Sequence, residues 1–153
     1  MVHNDIEILL VEDNPNDVEL IIRALSSGNI SNHVRVVRDS EEALELLFGS
    51  RGLADRAGYS CTVLLDLKLP KIGGLEVLQK LKGDPRTRNT PVVVLTSSRE
   101  EPDIATAYEL GANSYIVKPV DFDQFLDCVR QLGLYWLLLN EHSPNTPLGL
   151  GKE

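Results

Sequence analysis

Short apolar runs alternate along this chain with segments of helical periodicity, and this alternation limits the folds open to it. Five apolar runs are predicted to be strands, at 6–11, 34–37, 61–66, 91–96 and 114–117. Each is followed by a segment whose apolar residues recur at helical spacing, as in DVELIIRAL after the first run. Strands that alternate with amphipathic helices predict a parallel sheet with helices on both faces and right-handed crossovers. We therefore predict an α/β, doubly wound, flavodoxin-like (βα)5 fold with strand order 2-1-3-4-5.

The helical segments have recognisable start signals. The five predicted helices span 17–25, 41–48, 74–84, 101–111 and 121–133. Asn16, Ser40 and Asp121 are the expected N-caps of the first, second and fifth helices, because their side-chain oxygens can accept a hydrogen bond from the first turn. We predict one domain over 1–139 and a Pro- and Gly-rich disordered tail over 140–153.

Charge and cysteine usage restrict the partners and the compartment. The formal net charge of −8 argues against nucleic acid or an anionic membrane as a partner, because both repel an acidic surface. No apolar run approaches the roughly 20 residues of a membrane span. Cys61 and Cys128 lie in apolar stretches, and the amino-terminal sequence MVHNDIE does not resemble a signal peptide. We therefore predict buried thiols in a cytoplasmic protein.

Charged and hydroxyl side chains follow the strands at the point where each strand ends. Glu12 and Asp13 follow the first strand, Asp66 ends the third, Thr96 ends the fourth and Lys118 follows the fifth. The first and third strands are neighbours in the predicted order, so three carboxylates meet at one edge of the sheet. Two like charges about 4 Å apart repel by about 4 kcal/mol at an effective dielectric constant of 20. The cluster therefore needs a cation or shared protons, and oxygen-only ligands suit Mg²⁺.

Each of these residues taken alone has an ordinary explanation. Glu12 and Asp13 could simply cap the following helix, a threonine often closes a strand, and a lysine before proline is usually solvated. The joint placement at consecutive strand ends is the signal for a functional site.

Four motifs make the sequence resemble the receiver domains of two-component response regulators. They are ILLVEDN (8–14), LLDLKLPKIGG (64–74), VVVLTSS (92–98) and YIVKP (115–119). Within that family the chain looks most like single-domain regulators partnered with bacterial phytochromes, because of ELGANSYIVKPVDFDQF, the loop before the third strand and the aromatic pair YW.

The resemblance implies a phosphoacceptor and a metal site. Asp66 resembles the carboxylate nucleophile that forms an acyl phosphate. Mg²⁺ is expected to bind Asp13 directly and Glu12 through water, with Asp66 and the backbone carbonyl of Lys68 as the other protein ligands. The side chain of Lys68 is expected to flank the phosphoryl group and tune its lifetime.

The resemblance also implies a switch. Thr96 and Lys118 are expected to bind two phosphoryl oxygens, and Thr96 is expected to move inward after transfer. Tyr115 resembles the aromatic switch residue, which then turns inward and changes the partner preference of the fourth helix, fifth strand and fifth helix. The alternative for Tyr115 is an ordinary aromatic residue on a half-buried strand.

These roles predict a signalling function. We expect a single-domain response regulator that is not a conventional enzyme, but that catalyses its own Mg²⁺-dependent phosphorylation by a sensor histidine kinase and its own slow dephosphorylation. No output domain follows, so it is expected to act by protein contact. The apolar run LYWLLL (134–139) either folds back on the domain or supports a homodimer on the face just described, with Tyr135 and Trp136 near its centre.

Three other readings differ in chemistry. A haloacid-dehalogenase-like phosphatase usually needs a second aspartate two residues after the nucleophile, where this chain has Lys68. A flavodoxin-like cofactor binder would want a Ser-, Thr- or Gly-rich phosphate loop in place of the acidic EDNPND. A receiver that binds partners without phosphorylation would not need the complete set of residues found here.

Overall fold

Five parallel strands form one sheet in the order β2-β1-β3-β4-β5, in a computed structural model that describes residues 7–27, 34–55, 61–69, 73–97, 101–118, 121, 123–125 and 127. The strands are β1 (Glu7–Val11), β2 (Val34–Val37), β3 (Cys61–Asp66), β4 (Val92–Thr96) and β5 (Ser114–Val117). The helices are α1 (Pro15–Ser27), α2 (Ser40–Phe48), α3 (Gly74–Gly83) and α4 (Glu101–Glu109). The predicted fold class and strand order are confirmed.

Both faces of the sheet are covered, as the apolar strand sequences require. Alternate residues of β1, β3 and β4 pack on one face against α2, α3 and Ala107 of α4. The intervening strand residues pack on the other face against α1 and Phe125. Every residue of β3 is buried, because this strand lies at the centre of the sheet. Asp66 therefore ends a strand that has no solvent-facing side.

The strand register brings the carboxyl ends together. Val11 of β1 pairs with Leu65 of β3, so that Glu12 and Asp66 are the next residues on neighbouring strands. Asp66 in turn pairs with Leu95, and Thr96 pairs with Val117. The strand ends therefore line one edge of the sheet.

Two predicted N-caps are wrong by one or two residues. Asn14 caps α1, since its Oδ1 accepts hydrogen bonds from the backbone N–H groups of Asn16 (2.8 Å) and Asp17 (3.2 Å). Asp39 caps α2, with extended backbone angles and a hydrogen bond from the N–H of Glu42 at 2.8 Å. A cap must precede the first helical residue, and Asn16 and Ser40 already lie inside their helices.

The predicted cap at the fifth helix is confirmed. The side chain of Asp121 accepts a hydrogen bond from the N–H of Gln124 at 2.9 Å, and residues 123–125 and 127 are helical. Cys61 is buried, as expected. The expectations for Cys128, for Tyr135 and Trp136, and for the tail over 140–153 fall outside the described residues. In the part of the chain that the structure describes, no helix has the length and apolarity needed to cross a bilayer.

Candidate functional site

Three carboxylates meet where β1 and β3 end. One oxygen from each of Glu12, Asp13 and Asp66 lies within 4.8 Å of the others. Glu12 is fully buried and Asp66 is 3% exposed, whereas Asp13 is exposed. The site therefore combines two shielded carboxylates with one that faces solvent.

Lys118 joins this cluster from the end of β5. Its Nζ lies 2.8 Å and 2.9 Å from the two carboxylate oxygens of Glu12, 3.0 Å from Oδ2 of Asp17 and 3.4 Å from Oδ2 of Asp66. The ammonium therefore sits closest to Glu12 and farthest from Asp66. One ammonium group partly neutralises three carboxylates.

Burial sets the proton affinities in this cluster. The pKa of Glu12 is raised from 4.5 to about 7, mainly because the carboxylate is buried. The hydrogen bond from Lys118 lowers this pKa, and the charge of Asp66 raises it further, so the net effect is a rise. Burial on its own would lower the pKa of Lys118. Hydrogen bonds to Glu12 and Asp17, with the charges of Asp66 and Glu12, outweigh burial and raise the pKa of Lys118 above its ordinary value.

The loop after β3 fixes the orientation of Asp66. The backbone N–H of Lys68 donates to Oδ1 of Asp66 at 3.0 Å, which leaves Oδ2 facing Lys118. The N–H of Gly74, at the start of α3, donates to the carbonyl of Leu67 at 3.0 Å. A Cβ on Gly74 would overlap the carbonyl oxygen of Asp66 and lie 2.8 Å from Cα of Leu67. A glycine is therefore needed where α3 approaches the end of β3.

Thr96 and Tyr115 occupy contrasting environments. Thr96 is fully buried at the end of β4, and its carbonyl accepts the backbone N–H of Lys118 at 2.8 Å. Tyr115 on β5 is 37% exposed, and its ring packs edge to face against Tyr108 of α4, with centroids 5.8 Å apart and planes at 83°. An aromatic pair therefore lies on the α4–β5 surface.

The donor set fits a divalent cation. Glu12, Asp13 and Asp66 offer only oxygen ligands, which Mg²⁺ and similar hard cations prefer. Oε1 of Glu12 is buried and accepts no hydrogen bond, and its contact with Nζ of Lys118 at 2.8 Å is ionic. A buried carboxylate oxygen with only an ionic contact is available to a cation or to a water bound by one.

The structure brings together most of the residues predicted from sequence. Glu12, Asp13, Asp66 and Lys118 share one cluster, with Thr96 on the neighbouring strand. The side chain of Lys68 is exposed at the rim.

Two residues of the site were not predicted from sequence. Asp17 binds Lys118, and its position in the first turn of α1, four residues after Asp13, was the available signal. Gly74 permits the close approach of α3, and the pair GG before a helical pattern was the corresponding signal.

Comparison with known proteins identifies the family. A family model described as response regulator receiver domain matches residues 8–130. The probable methanogenesis regulatory protein FilR2 of Methanothrix harundinacea is 41% identical over 132 residues, which covers 85% of this chain and 83% of that protein. The response regulator Rcp1 of Synechocystis is 35% identical over 130 residues, which covers 85% of this chain and 88% of Rcp1.

Solved structures agree with these relatives. The bacteriophytochrome response regulator RtBRR is 48% identical, with a TM-score of 0.73 over 92% of this chain and 85% of that chain. The Mn²⁺-bound form of Rcp1 is 34% identical, with a TM-score of 0.67 over 86% of this chain and 93% of that chain. The predicted resemblance to phytochrome response regulators is thus confirmed, and the chain belongs to the response regulator receiver domain family.

Proposed function

We propose that this protein accepts a phosphoryl group from a sensor histidine kinase on Asp66 and signals through the protein contacts that phosphorylation alters. The observation that carries the proposal is the position of Asp66 at the end of the central strand, beside two further carboxylates and the ammonium of Lys118. Phosphoryl transfer needs positioning and charge neutralisation more than covalent help from the protein. This edge of the sheet offers both.

In the transfer, one bond to phosphorus would form and another would break. A carboxylate oxygen of Asp66 attacks the phosphorus of a phosphohistidine, the P–N bond breaks, and the imidazole leaves with the electron pair. The product is an acyl phosphate on Asp66. In the separate, slow hydrolysis, a water oxygen attacks the same phosphorus, the P–O bond to Asp66 breaks, and the products are inorganic phosphate and the free carboxylate of Asp66. The hydrogen bond from Lys68 N–H to Oδ1 supports this role, because it holds the carboxylate in one orientation before transfer.

Mg²⁺ is the proposed cofactor. Asp13 and Asp66 would bind it directly, Glu12 through water, and the carbonyl of Lys68 would be the remaining protein ligand. When bound, the ion supplies positive charge that offsets repulsion among the carboxylates and the phosphoryl oxygens. The oxygen-only cluster supports this choice, as does the Mn²⁺-bound form of the relative Rcp1.

Thr96 and Lys118 are proposed to bind phosphoryl oxygens after transfer. Lys118 would release part of its contact with Glu12 to do so, and Thr96 would move toward the new group. Tyr115, now partly exposed beside Tyr108, would then turn inward and shift the population toward a second form of the α4–β5 surface. The exposed aromatic pair supports this surface as the one that changes.

The proposed partners follow from the same features. A bacterial phytochrome is the proposed kinase, because RtBRR is a bacteriophytochrome response regulator. The buried thiol of Cys61 supports a reducing cytoplasm as the compartment.

We further propose a homodimer on α4, β5 and the fifth helix, with Tyr135 and Trp136 near its centre. The exposed Tyr108–Tyr115 pair on that face supports it.

Incubation with acetyl phosphate tests this function. Wild type should gain one phosphoryl group by intact mass in Mg²⁺ and none in EDTA. Asp66→Asn, which is nearly isosteric, should keep the fold by circular dichroism and gain none. A stoichiometric, Mg²⁺-dependent and base-labile phosphate on Asp66→Asn would refute the assignment.

A further inference from the structure

Asp17, which is not one of the three clustered carboxylates, also contacts Lys118. Oδ2 of Asp17 lies 3.0 Å from Nζ of Lys118, whereas Oδ2 of Asp66 lies 3.4 Å from the same nitrogen. Of the described acidic residues near this edge, only Glu12, Asp13 and Asp66 bring oxygens within mutual ligand range. Asp17 therefore contacts Lys118 but does not belong to the group of oxygens that could hold a cation.

The position of Asp17 is fixed by the helix that carries it. Asp17 lies in the first turn of α1, where its backbone N–H donates to the capping oxygen of Asn14 at 3.2 Å. Its side chain is 24% exposed and that of Lys118 is 14% exposed, so the pair is partly shielded from solvent. The backbone that carries this carboxylate is thus anchored by the cap of α1 and not by the metal-binding cluster.

We propose that Asp17 is a positioning residue that competes with the phosphoryl group on Asp66 for Lys118, and so weakens the phosphorylated state. The inference rests on the proposed function of Asp66. An ammonium has three N–H donors, and here they face Glu12, Asp17 and Asp66. A cation held by the three clustered carboxylates would weaken the hold of Glu12 on Lys118. Asp17, outside that cluster, would keep its hold and draw Lys118 back from the phosphoryl oxygens.

Beryllofluoride, a phosphoryl mimic, measures this competition. Its dissociation constant is determined by ¹⁹F NMR in saturating Mg²⁺ for wild type, Asp17→Asn and Glu19→Gln. The Asp17→Asn protein should bind about two- to fivefold more tightly, the change expected for a partly exposed ion pair. Glu19→Gln is the matched control, because it removes the same charge from the same helix. Glu19 pairs with Arg23 at 2.8 Å and not with Lys118. Its dissociation constant should equal that of wild type.

A second readout separates positioning from a structural role. In ¹³C-lysine-labelled protein, the Lys118 signal is assigned with Lys118→Arg. In Mg²⁺ without beryllofluoride, Asp17→Asn should move this signal toward its position in the beryllofluoride-bound wild type. A residue that only stabilised the start of α1 would lower Tm and leave both the Lys118 signal and the dissociation constant unchanged. Asp17→Ser serves as the second variant if Asp17→Asn folds poorly.

The outcomes are distinguishable. Equal or weaker beryllofluoride binding by Asp17→Asn and Asp17→Ser, with normal binding by wild type, overturns the role of Asp17 alone. An equal increase in affinity for Glu19→Gln overturns it as well, because a general loss of negative charge would then explain the effect. Failure of wild type to bind beryllofluoride in Mg²⁺ overturns the proposed function itself.

Discussion

Replacing Gly74 with alanine should destabilise the fold by about 1–3 kcal/mol, the usual cost of forcing an extra methyl group into a packed region. The new Cβ would overlap the carbonyl oxygen of Asp66 and lie 2.8 Å from Cα of Leu67. Both contacts are with backbone atoms, which cannot turn aside as a flexible side chain can. The cost should exceed the helix-propensity gain of alanine over glycine, which is at most about 1 kcal/mol.

Gly83, the last residue of the same helix, is the matched control. A Cβ on Gly83 would meet no atom within 4 Å. Gly83→Ala should therefore leave stability unchanged or raise it by up to about 1 kcal/mol, through reduced freedom of the unfolded chain.

Thermal unfolding in EDTA, followed by circular dichroism, provides the measurement. The Tm of Gly74→Ala should fall by roughly 2–4 °C for each kcal/mol lost. The same variant should accept a phosphoryl group from acetyl phosphate more slowly, because the overlap displaces the backbone of Asp66 itself. A Tm and a phosphorylation rate within error of wild type would refute the steric reasoning.

Three further predictions concern the acidic cluster, the phosphoryl lifetime and the assembly state. The folded pKa of Glu12 is raised from 4.5 to about 7, so its contribution to stability is present below about pH 4.5 and is lost as the pH rises through 7. In EDTA, Glu12→Gln should flatten the stability profile from urea denaturation across this window, and a profile as steep as that of wild type would contradict the assignment. Lys68→Asn should speed autodephosphorylation, because the exposed side chain of Lys68 at the rim is proposed to shield the phosphoryl group from water; an equal or slower rate would show that Lys68 is not the shield. Sedimentation with and without beryllofluoride should show a wild-type dimer in at least one of the two states and a monomer for Trp136→Ala, and a wild type that stays monomeric at high micromolar concentration in both states would exclude the dimer.

The sheet could be predicted closely from the sequence because its strands are short apolar runs bounded by polar residues. Three strands agree to the residue, at Val34–Val37, Cys61–Asp66 and Ser114–Val117. Helix starts were harder to predict, because NPND and DS each offer several capping side chains. Backbone conformation selects among them, and the composition of the segment does not reveal it.

The site could be predicted where residues end strands, since the parallel topology sends them all to one edge. Glu12, Asp66 and Lys118 follow this rule. Asp17 does not, because it reaches Lys118 from a helix, and only the crossover geometry of α1 brings the two together. The requirement at Gly74 was equally hidden, because it depends on how closely α3 approaches the carbonyl of Asp66.

Reductive trapping of the phosphorylated protein tests the central claim most directly. Borohydride reduces an aspartyl phosphate to homoserine, and tandem mass spectrometry then locates the altered residue. After reaction with acetyl phosphate in Mg²⁺, homoserine should appear at position 66 alone, and it should be absent when EDTA replaces Mg²⁺. Homoserine at position 13, 5-hydroxynorvaline (the product from a glutamyl phosphate) at position 12, or stoichiometric phosphorylation without homoserine at position 66 would contradict the assignment of Asp66 as the phosphoacceptor.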